Sequence, residues 1–386
     1  MNNFEFFNPV KVIFGKGQLG KLSTRIPQDK KILLIYGGGS ILKNGVYDTI
    51  KDALKAHNVL EFSGVEPNPR YETAMKAVEL IKAEKIDFLL AVGGGSVIDA
   101  TKFIAAAALY DAGDPWDMLL KHAPVKAAMP FGAVLTLPAT GSEMNAGSVI
   151  ERDSTNEKLA FGSPLTFPQF SFLLPDAAGT LPKKQVANGV VDAFMHVMEQ
   201  YMTYPANAPL QDRFAESILQ TLIEVGPKAY KNPADYEAMS NLMWCATMAL
   251  NGLIGCGVPQ DWAVHMMGHE LTSQFGIDHA RTLAIIAPSH YKYNFENKKA
   301  KLAQFGERVW GLKTGTDDEK AHAAIEAMVA FFHSLDIDTK LSQYSADYEG
   351  TAQNISKRFT ERGWLGMGER QSLKPSEVEK IVEMAY

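Results

Sequence analysis

Two short apolar runs, each stopping on three glycines and a serine, constrain this chain most. Lys31-Ile-Leu-Leu-Ile-Tyr36 ends at Gly37-Gly38-Gly39-Ser40, and Asp87-Phe-Leu-Leu-Ala-Val92 ends at Gly93-Gly94-Gly95-Ser96. Phe131 to Leu137 is a third such run. Strands without polar alternation are buried on both faces, as in a parallel sheet covered by helices. The stretches between suit those helices: Glu72–Glu84 carries Met75, Val78, Leu80 and Ile81 close to helical spacing, and residues from Val97 to Leu109 read as helix. The alternation predicts a doubly wound, Rossmann-like α/β domain. Phe4 to Phe14 reads as a strand or hairpin at an edge.

The pattern changes after Leu181-Pro182. Long amphipathic stretches follow, at 183–203, 211–229, 236–250, 261–274 and 319–335, with few strand-like runs. The expectation is an α/β dinucleotide-binding domain over 1–181 and an all-helical metal-binding domain over 182–386. A length of 386 residues suits two domains. With 46% hydrophobic and 21% charged residues the composition is globular, which excludes a disordered or fibrous chain. A net charge of −6, from 38 basic and 44 acidic residues, does not invite nucleic acid. No apolar stretch approaches the roughly 20 residues that span a bilayer, and the N-terminus lacks the pattern of a signal peptide. Cys245 and Cys256 are the only cysteines, so no disulfide framework is expected. These features predict a cytoplasmic protein.

A glycine-rich turn between a buried strand and a helix lets backbone N–H groups approach a phosphate, and the helix dipole favours the anion. Gly93-Gly94-Gly95-Ser96-Val97-Ile98-Asp99 fits that plan, although it is not the Gly-x-Gly-x-x-Gly fingerprint and also reads as a tight turn. After the earlier strand, where dinucleotide folds often carry an acid for the ribose 2′-hydroxyl, stand glycines and Ser40, with Lys43 close by. No carboxylate there repels a 2′-phosphate, which favours NADP over NAD. Thr136, Thr140, Ser142 and Asn145 form a dense polar loop after the third run, able to bond a nucleotide or simply to cap and turn the chain.

Asp192 and His196 stand four apart, on one face of a predicted helix, and His265 and His269 repeat the spacing. His279 follows shortly after. A divalent cation needs three or four N/O donors from rigid elements. Asp192 with three neutral histidines leaves a dication with net charge +1, able to polarise a carbonyl oxygen. On spacing alone His265 and His269 are both candidates, and a histidine at a helix contact is as readily a core residue. The absence of His-Glu-x-x-His argues against a zinc peptidase.

Taken together, Gly93-Gly-Gly-Ser-Val-Ile-Asp99, Pro138-Ala-Thr-Gly-Ser-Glu143, Val191-Asp-Ala-Phe-Met-His-Val-Met-Glu199 and the stretch from Trp262 to Thr282 resemble the iron-containing (group III) alcohol dehydrogenases. The likeness covers essentially the whole chain. Phe14-Gly-Lys-Gly17, Gly64-Val-Glu-Pro-Asn-Pro69 and Gln185–Asp192 resemble the bacterial NADPH-dependent aldehyde reductases of the butanol-dehydrogenase type. The resemblance implies that Asp192, His196, His265 and His279 hold one divalent metal, Fe2+ or Zn2+. It implies that His269 is not a ligand but lies toward the nicotinamide and helps pass a proton. It places Gly94, Gly95 and Ser96 at the pyrophosphate, and Gly38 and Ser40 at the adenosine ribose. Relatives that prefer NAD carry Asp where Gly38 stands. Asn68, Asp99, Thr136, Ser142, Asn145 and Lys158 complete the expected NADP(H) contacts, and Glu199 is expected to support the site from behind. The implied reaction is hydride transfer between NADP(H) and a short- to medium-chain aldehyde or primary alcohol, in a homodimer. A dehydroquinate-synthase-like lyase shares the implied architecture but would need several basic residues for its substrate. Only Arg281 lies near the metal motifs. A non-catalytic nucleotide-binding module would leave the four donors without a purpose.

Overall fold

The computed structural model describes residues 1–386. The chain divides into two compact units. An α/β unit comprises Phe7–Pro182 and Asn232–Thr247; a helical unit comprises Met1–Phe6, Lys183–Lys231 and Met248–Tyr386.

The α/β unit is built on eight strands: β1 (Lys11–Phe14), β2 (Lys31–Tyr36), β3 (Asn58–Phe62), β4 (Phe88–Gly93), β5 (Phe131–Leu135), β6 (Gly147–Arg152), β7 (Glu157–Gly162) and β8 (Phe170–Leu173). Six of them form one parallel sheet in the order β1-β8-β5-β4-β2-β3, while β6 and β7 make a separate antiparallel hairpin. Helices α1 (Val46–Ala53), α2 (Tyr71–Glu84) and α3 (Gly95–Ala107) connect the central strands. Side chains alternate across a strand. Ile32, Leu34, Leu90, Val92, Val134 and Phe172 face one core with Val46, Ile50 and Leu54 of the α1 region. Their neighbours Leu33, Ile35, Leu89, Ala91 and Ala133 are equally buried. Both faces are therefore covered, which is why these strands read as unbroken apolar runs. Strand order reverses between β2 and β4, the place where open α/β sheets bind ligands beyond the strand ends. Both glycine clusters lie there.

In the helical unit, α4 (Lys183–Tyr201) is buried at every position from Val186 to Tyr201 and forms the centre. Around it come α5 (Pro209–Lys231), then, beyond the segment that joins the other unit, α7 (Ala263–Phe275), α8 (His279–Tyr293), α9 (Phe295–Arg308), α10 (Asp317–His333), α11 (Thr351–Glu361) and α12 (Pro375–Glu383). The intervening helix α6 (Tyr236–Ala249) belongs, but for its last two residues, to the α/β unit. There Trp244 meets Phe14 of β1 edge to face with centroids 6.2 Å apart, the Tyr236 hydroxyl accepts the Lys16 N–H at 3.2 Å, and the Thr247 hydroxyl donates to Glu143 Oε1 at 2.5 Å. The 181/182 division drawn from the sequence thus lies next to the Pro182/Lys183 junction, but the chain crosses it with α6 and with residues 1–6. Amphipathic periodicity marks α6 as a helix without saying which core its apolar face meets. Cys245 and Cys256 are both buried and are not joined in a disulfide. No helix is long and apolar enough to cross a membrane.

Candidate functional site

Helix α4 presents Asp192, His196 and Glu199 at i, i+4 and i+7, one stripe of a helix. Helix α7 contributes His265 and His269, one turn apart, and His279 is the first residue of α8. Helix α8 packs on both α4 and α7, so the three helices aim these side chains at one point. Donor atoms of Asp192, His265 and His279 all lie within 4.8 Å of one another. His196 Nε2 and His279 Nε2 are each 3.9 Å from Asp192 Oδ1. The His196 ring stacks on His265, centroids 5.0 Å apart and planes 18° apart, and His265 meets His279 at 5.3 Å. His196 and His269 both lie outside the cluster of three; the His269 ring is 5.0 Å from His279. Asp192 Oδ1 is buried and accepts no hydrogen bond. A buried carboxylate oxygen left this way is costly unless a cation satisfies it. The donor set, one carboxylate with imidazoles, suits a divalent transition metal. The Asp192, His196 and His265 side chains are 5–9% exposed and His279 is 24% exposed, so His279 marks the open side.

Behind the donors stands the expected Glu199, with partners that spacing did not reveal. Glu199 Oε1 accepts both the backbone N–H of His265 at 2.9 Å and its ring Nδ1–H at 3.1 Å. A carboxylate on Nδ1 fixes the tautomer and leaves Nε2 for a metal. Burial, reinforced by the neighbouring Asp261 charge, pushes the Glu199 carboxyl up to about 7. Burial also opposes ionisation of Asp261, but His290 and Lys298 outweigh it and hold that carboxyl below the usual carboxylate range. Asp261 accepts from Lys298 Nζ at 2.8 Å and from the Ala263 N–H at 3.1 Å, its Oδ1 is 3.5 Å from His290 Nε2, and its own N–H donates to the Glu199 carbonyl at 2.8 Å. Lys298, itself buried, also bonds the Met202 carbonyl and Glu369. His279 is placed similarly. Asn188, one turn before Asp192, donates to Asp278 at 2.9 Å and accepts from Arg281 at 3.1 Å, and Lys184 pairs with Asp278 at 2.8 Å. Arg281 therefore serves the frame of the site. Farther along α7, buried Glu270 pairs with Arg358 at 2.6 Å and with Arg362. Trp262, just before α7, has φ +64°, a left-handed conformation costing a bulky residue about 1–3 kcal/mol. Its indole meets His265 at 5.1 Å and His196 at 6.4 Å.

In the α/β unit, Gly94 caps α3 and Gly95 begins it, beyond the end of β4. A Cβ on Gly95 would stand 2.3 Å from the Thr140 hydroxyl, so only glycine lets this turn approach the 138–142 loop. Gly38 is exposed, and a Cβ there would meet nothing within 4 Å. Ser40, also exposed, opens a short 3-10 turn at 40–42. Ser96 donates to the Pro67 carbonyl, and Lys158 donates to Asn68 at 3.0 Å, which brings three of the expected residues together. Thr136 is buried, its N–H bonded to the Gly93 carbonyl at 2.9 Å. Asp99, Ser142 and Asn145 are hydrogen-bonded within the protein. All three surround the fully buried Lys102, whose ammonium donates to Ser142 at 2.8 Å, Asn145 at 2.8 Å and the Gly147 carbonyl at 2.7 Å. Asp99 spends its two oxygens on Ser142 at 2.5 Å and the Val149 N–H at 2.9 Å. These side chains tie the 140–149 segment to α3, and burial drives the Lys102 ammonium down to about 8.

Residues 9–175 match the family described as iron-containing alcohol dehydrogenase, and residues 186–386 match the C-terminal part of the Fe-containing alcohol dehydrogenase family. The chain belongs to the iron-containing alcohol dehydrogenases. Within that family it is 53% identical, over 100% of both chains, to the NADPH-dependent aldehyde reductase YqhD of Escherichia coli (strain K12). It is 42% identical, over 99% of both, to the probable NADH-dependent butanol dehydrogenase 1 of Bacillus subtilis (strain 168). The crystal structure of E. coli K-12 YqhD matches with a TM-score of 0.98 at 52% identity, covering 100% of this chain and 99% of that one. The NADH-dependent butanol dehydrogenase A of Thermotoga maritima matches at 0.93 and 35% identity, with the same coverage. The expected fold, a parallel sheet with surrounding helices followed by a helical part, is that of these family members.

Proposed function

We propose that this chain is a divalent-metal-dependent, NADP(H)-linked reductase of short- to medium-chain aldehydes, able to oxidise primary alcohols in reverse. The observation that carries the reading is the convergence of Asp192, His265 and His279 within 4.8 Å, with His196 against them, in a member of this family. Asp192, His196, His265 and His279 are the residues to hold the metal. The donor chemistry suits Fe2+ or Zn2+ alike. When bound, the metal supplies Lewis-acid polarisation of the carbonyl and the dinucleotide supplies the hydride.

The protein's own residues do the rest. Asp192 must be ionised and the histidines neutral, so metal affinity falls in acid. Glu199 holds the His265 ring with Nε2 outward. His269, half-buried beside His279, holds and passes the proton required by the alcohol product. Gly94, Gly95 and Ser96 receive the pyrophosphate at the start of α3. Gly38 and Ser40 receive the ribose and its 2′-phosphate, with Asn68, Thr136 and Lys158 beside them; Asp99, Ser142 and Asn145 hold the loop. Relatives named for NADH and for NADPH both occur among the similar proteins, so the preference for NADP rests on Gly38, where open space and no carboxylate await the phosphate. We extend the reading to a cytoplasmic homodimer on the strength of the resemblance.

The test is NADPH oxidation with butanal, before and after chelation and metal restoration, beside His265→Ala. Activity lost with metal and restored with it, and a variant low in both metal and turnover, are expected. Metal-replete protein inactive with every aldehyde, or His265→Ala with full metal and normal turnover, would overturn the proposal.

A further inference from the structure

We propose that Trp262 determines which aldehydes reach the metal centre, its indole forming an apolar wall over His196 and His265 that admits slim, uncharged chains and excludes branched or charged ones. The inference rests on the metal-site reading above and adds the shape of the substrate to it. Three observations carry it. First, the backbone at Trp262 is left-handed, with φ +64° and ψ 2°, where glycine fits freely and a large side chain is strained. Such strain persists only where the surroundings impose it, and it clusters at sites of function. The surroundings here do impose it. Asp261, immediately before, is fixed by its N–H to the Glu199 carbonyl at 2.8 Å, by Lys298 at 2.8 Å and by the first N–H of α7 at 3.1 Å.

Second, the enforced conformation lays the indole against two of the three donor rings, at 5.1 Å and 6.4 Å. Trp262 is half-buried while both rings are buried, so part of the indole stays accessible beside two of the donors. Third, its one polar atom is committed elsewhere, since Nε1–H donates to Gln260 Oε1 at 2.7 Å. The surface offered to a substrate is then hydrocarbon. An apolar wall excludes water and so strengthens the pull of a cation on a carbonyl. It gives no partner to a charged group and no room to a branch.

Trp262→Gly removes the wall and suits the backbone. The expected result is a rise of about tenfold or more in the ratio of kcat/KM for 2,2-dimethylpropanal to that for butanal, with undiminished metal content and an unchanged or higher Tm. An unchanged ratio overturns the proposal. So does loss of the fold or of the metal, because the donors should outlast a wall that only covers them. A readout independent of turnover is quenching of tryptophan emission by Co2+. Of the five tryptophans, Trp262 is the one against the donors. Cobalt should quench the unsubstituted protein and quench Trp262→Phe far less at equal occupancy; equal quenching overturns the placement. Protein that binds no cobalt and reduces no aldehyde would bring down the metal reading itself, a result distinct from an active enzyme with an unmoved ratio.

Discussion

Replacing Glu199 tests whether His265 is a metal ligand held in one tautomer. The carboxylate accepts two N–H groups of His265 through a single oxygen, at 2.9 Å and 3.1 Å. In Glu199→Gln a carbonyl oxygen can accept both bonds, but without negative charge. A carboxylate supporting a ligating histidine contributes about 10–100-fold to metal affinity, and glutamine should forfeit about tenfold, or ~1.4 kcal/mol. Glu199→Ala leaves both N–H groups buried without a partner, at roughly 1–3 kcal/mol each. Some of that is lost by the metal-free protein as well, so its Tm falls. The ring, released to turn, should lower metal affinity by about 100-fold. Competition against a chromogenic chelator measures the affinity, and thermal melts with and without metal separate the two effects. At fixed free metal, a 100-fold weaker site loses about 2.7 kcal/mol of metal-linked stabilisation. Alanine and glutamine variants that bind metal as tightly as the unsubstituted protein would refute the reasoning. His265 would then not ligate through Nε2.

Gly38→Asp should fold normally, since its Cβ enters open space, and should weaken NADPH at least about tenfold more than NADH by placing a carboxylate near a doubly charged phosphate in a solvent-exposed setting; fluorescence titration with both nucleotides checks it, and an unchanged ratio of affinities would count against the ribose assignment. Lys102→Met removes three hydrogen bonds from the 142–147 segment and should cost about 3 kcal/mol in a urea melt while weakening NADPH. Because burial lowers Lys102 from 10.5 to about 8, the unfolded chain holds this proton to higher pH than the native one. Stability should therefore rise as pH passes from about 8 toward 10.5, and methionine should abolish that rise. A methionine variant with the same pH profile would contradict it.

The parts legible in the sequence were those where one physical demand dominates. β2, β4 and β5 announce themselves because burial on both faces leaves no polar residue between 32 and 36 or between 88 and 92. β3, β6 and β7 carry mixed residues, half-exposed in places, so no period stood out. α8 was hidden differently: its run Leu283–Pro288 is apolar all round, and a proline lies inside the helix. The metal donors were readable from their four-residue spacing, but choosing His265 over His269 took the resemblance. Lys298, Asp261 and Glu270 escaped because partners such as Glu369, Glu199 and Arg358 lie far off in the chain. Asn188 did leave a signal, one helical turn from Asp192, as did Asp278 beside His279. The strain at Trp262 left none, since no local pattern prescribes a left-handed tryptophan.

The donors on α4, α7 and α8 all come from the helical unit alone. An ion seated among them would fasten together stretches of polypeptide that lie far apart along the chain, much as a cross-link does. Ageing, heat tolerance and proteolysis of this enzyme would then report on its supply of metal, and a starved preparation would become fragile as well as idle.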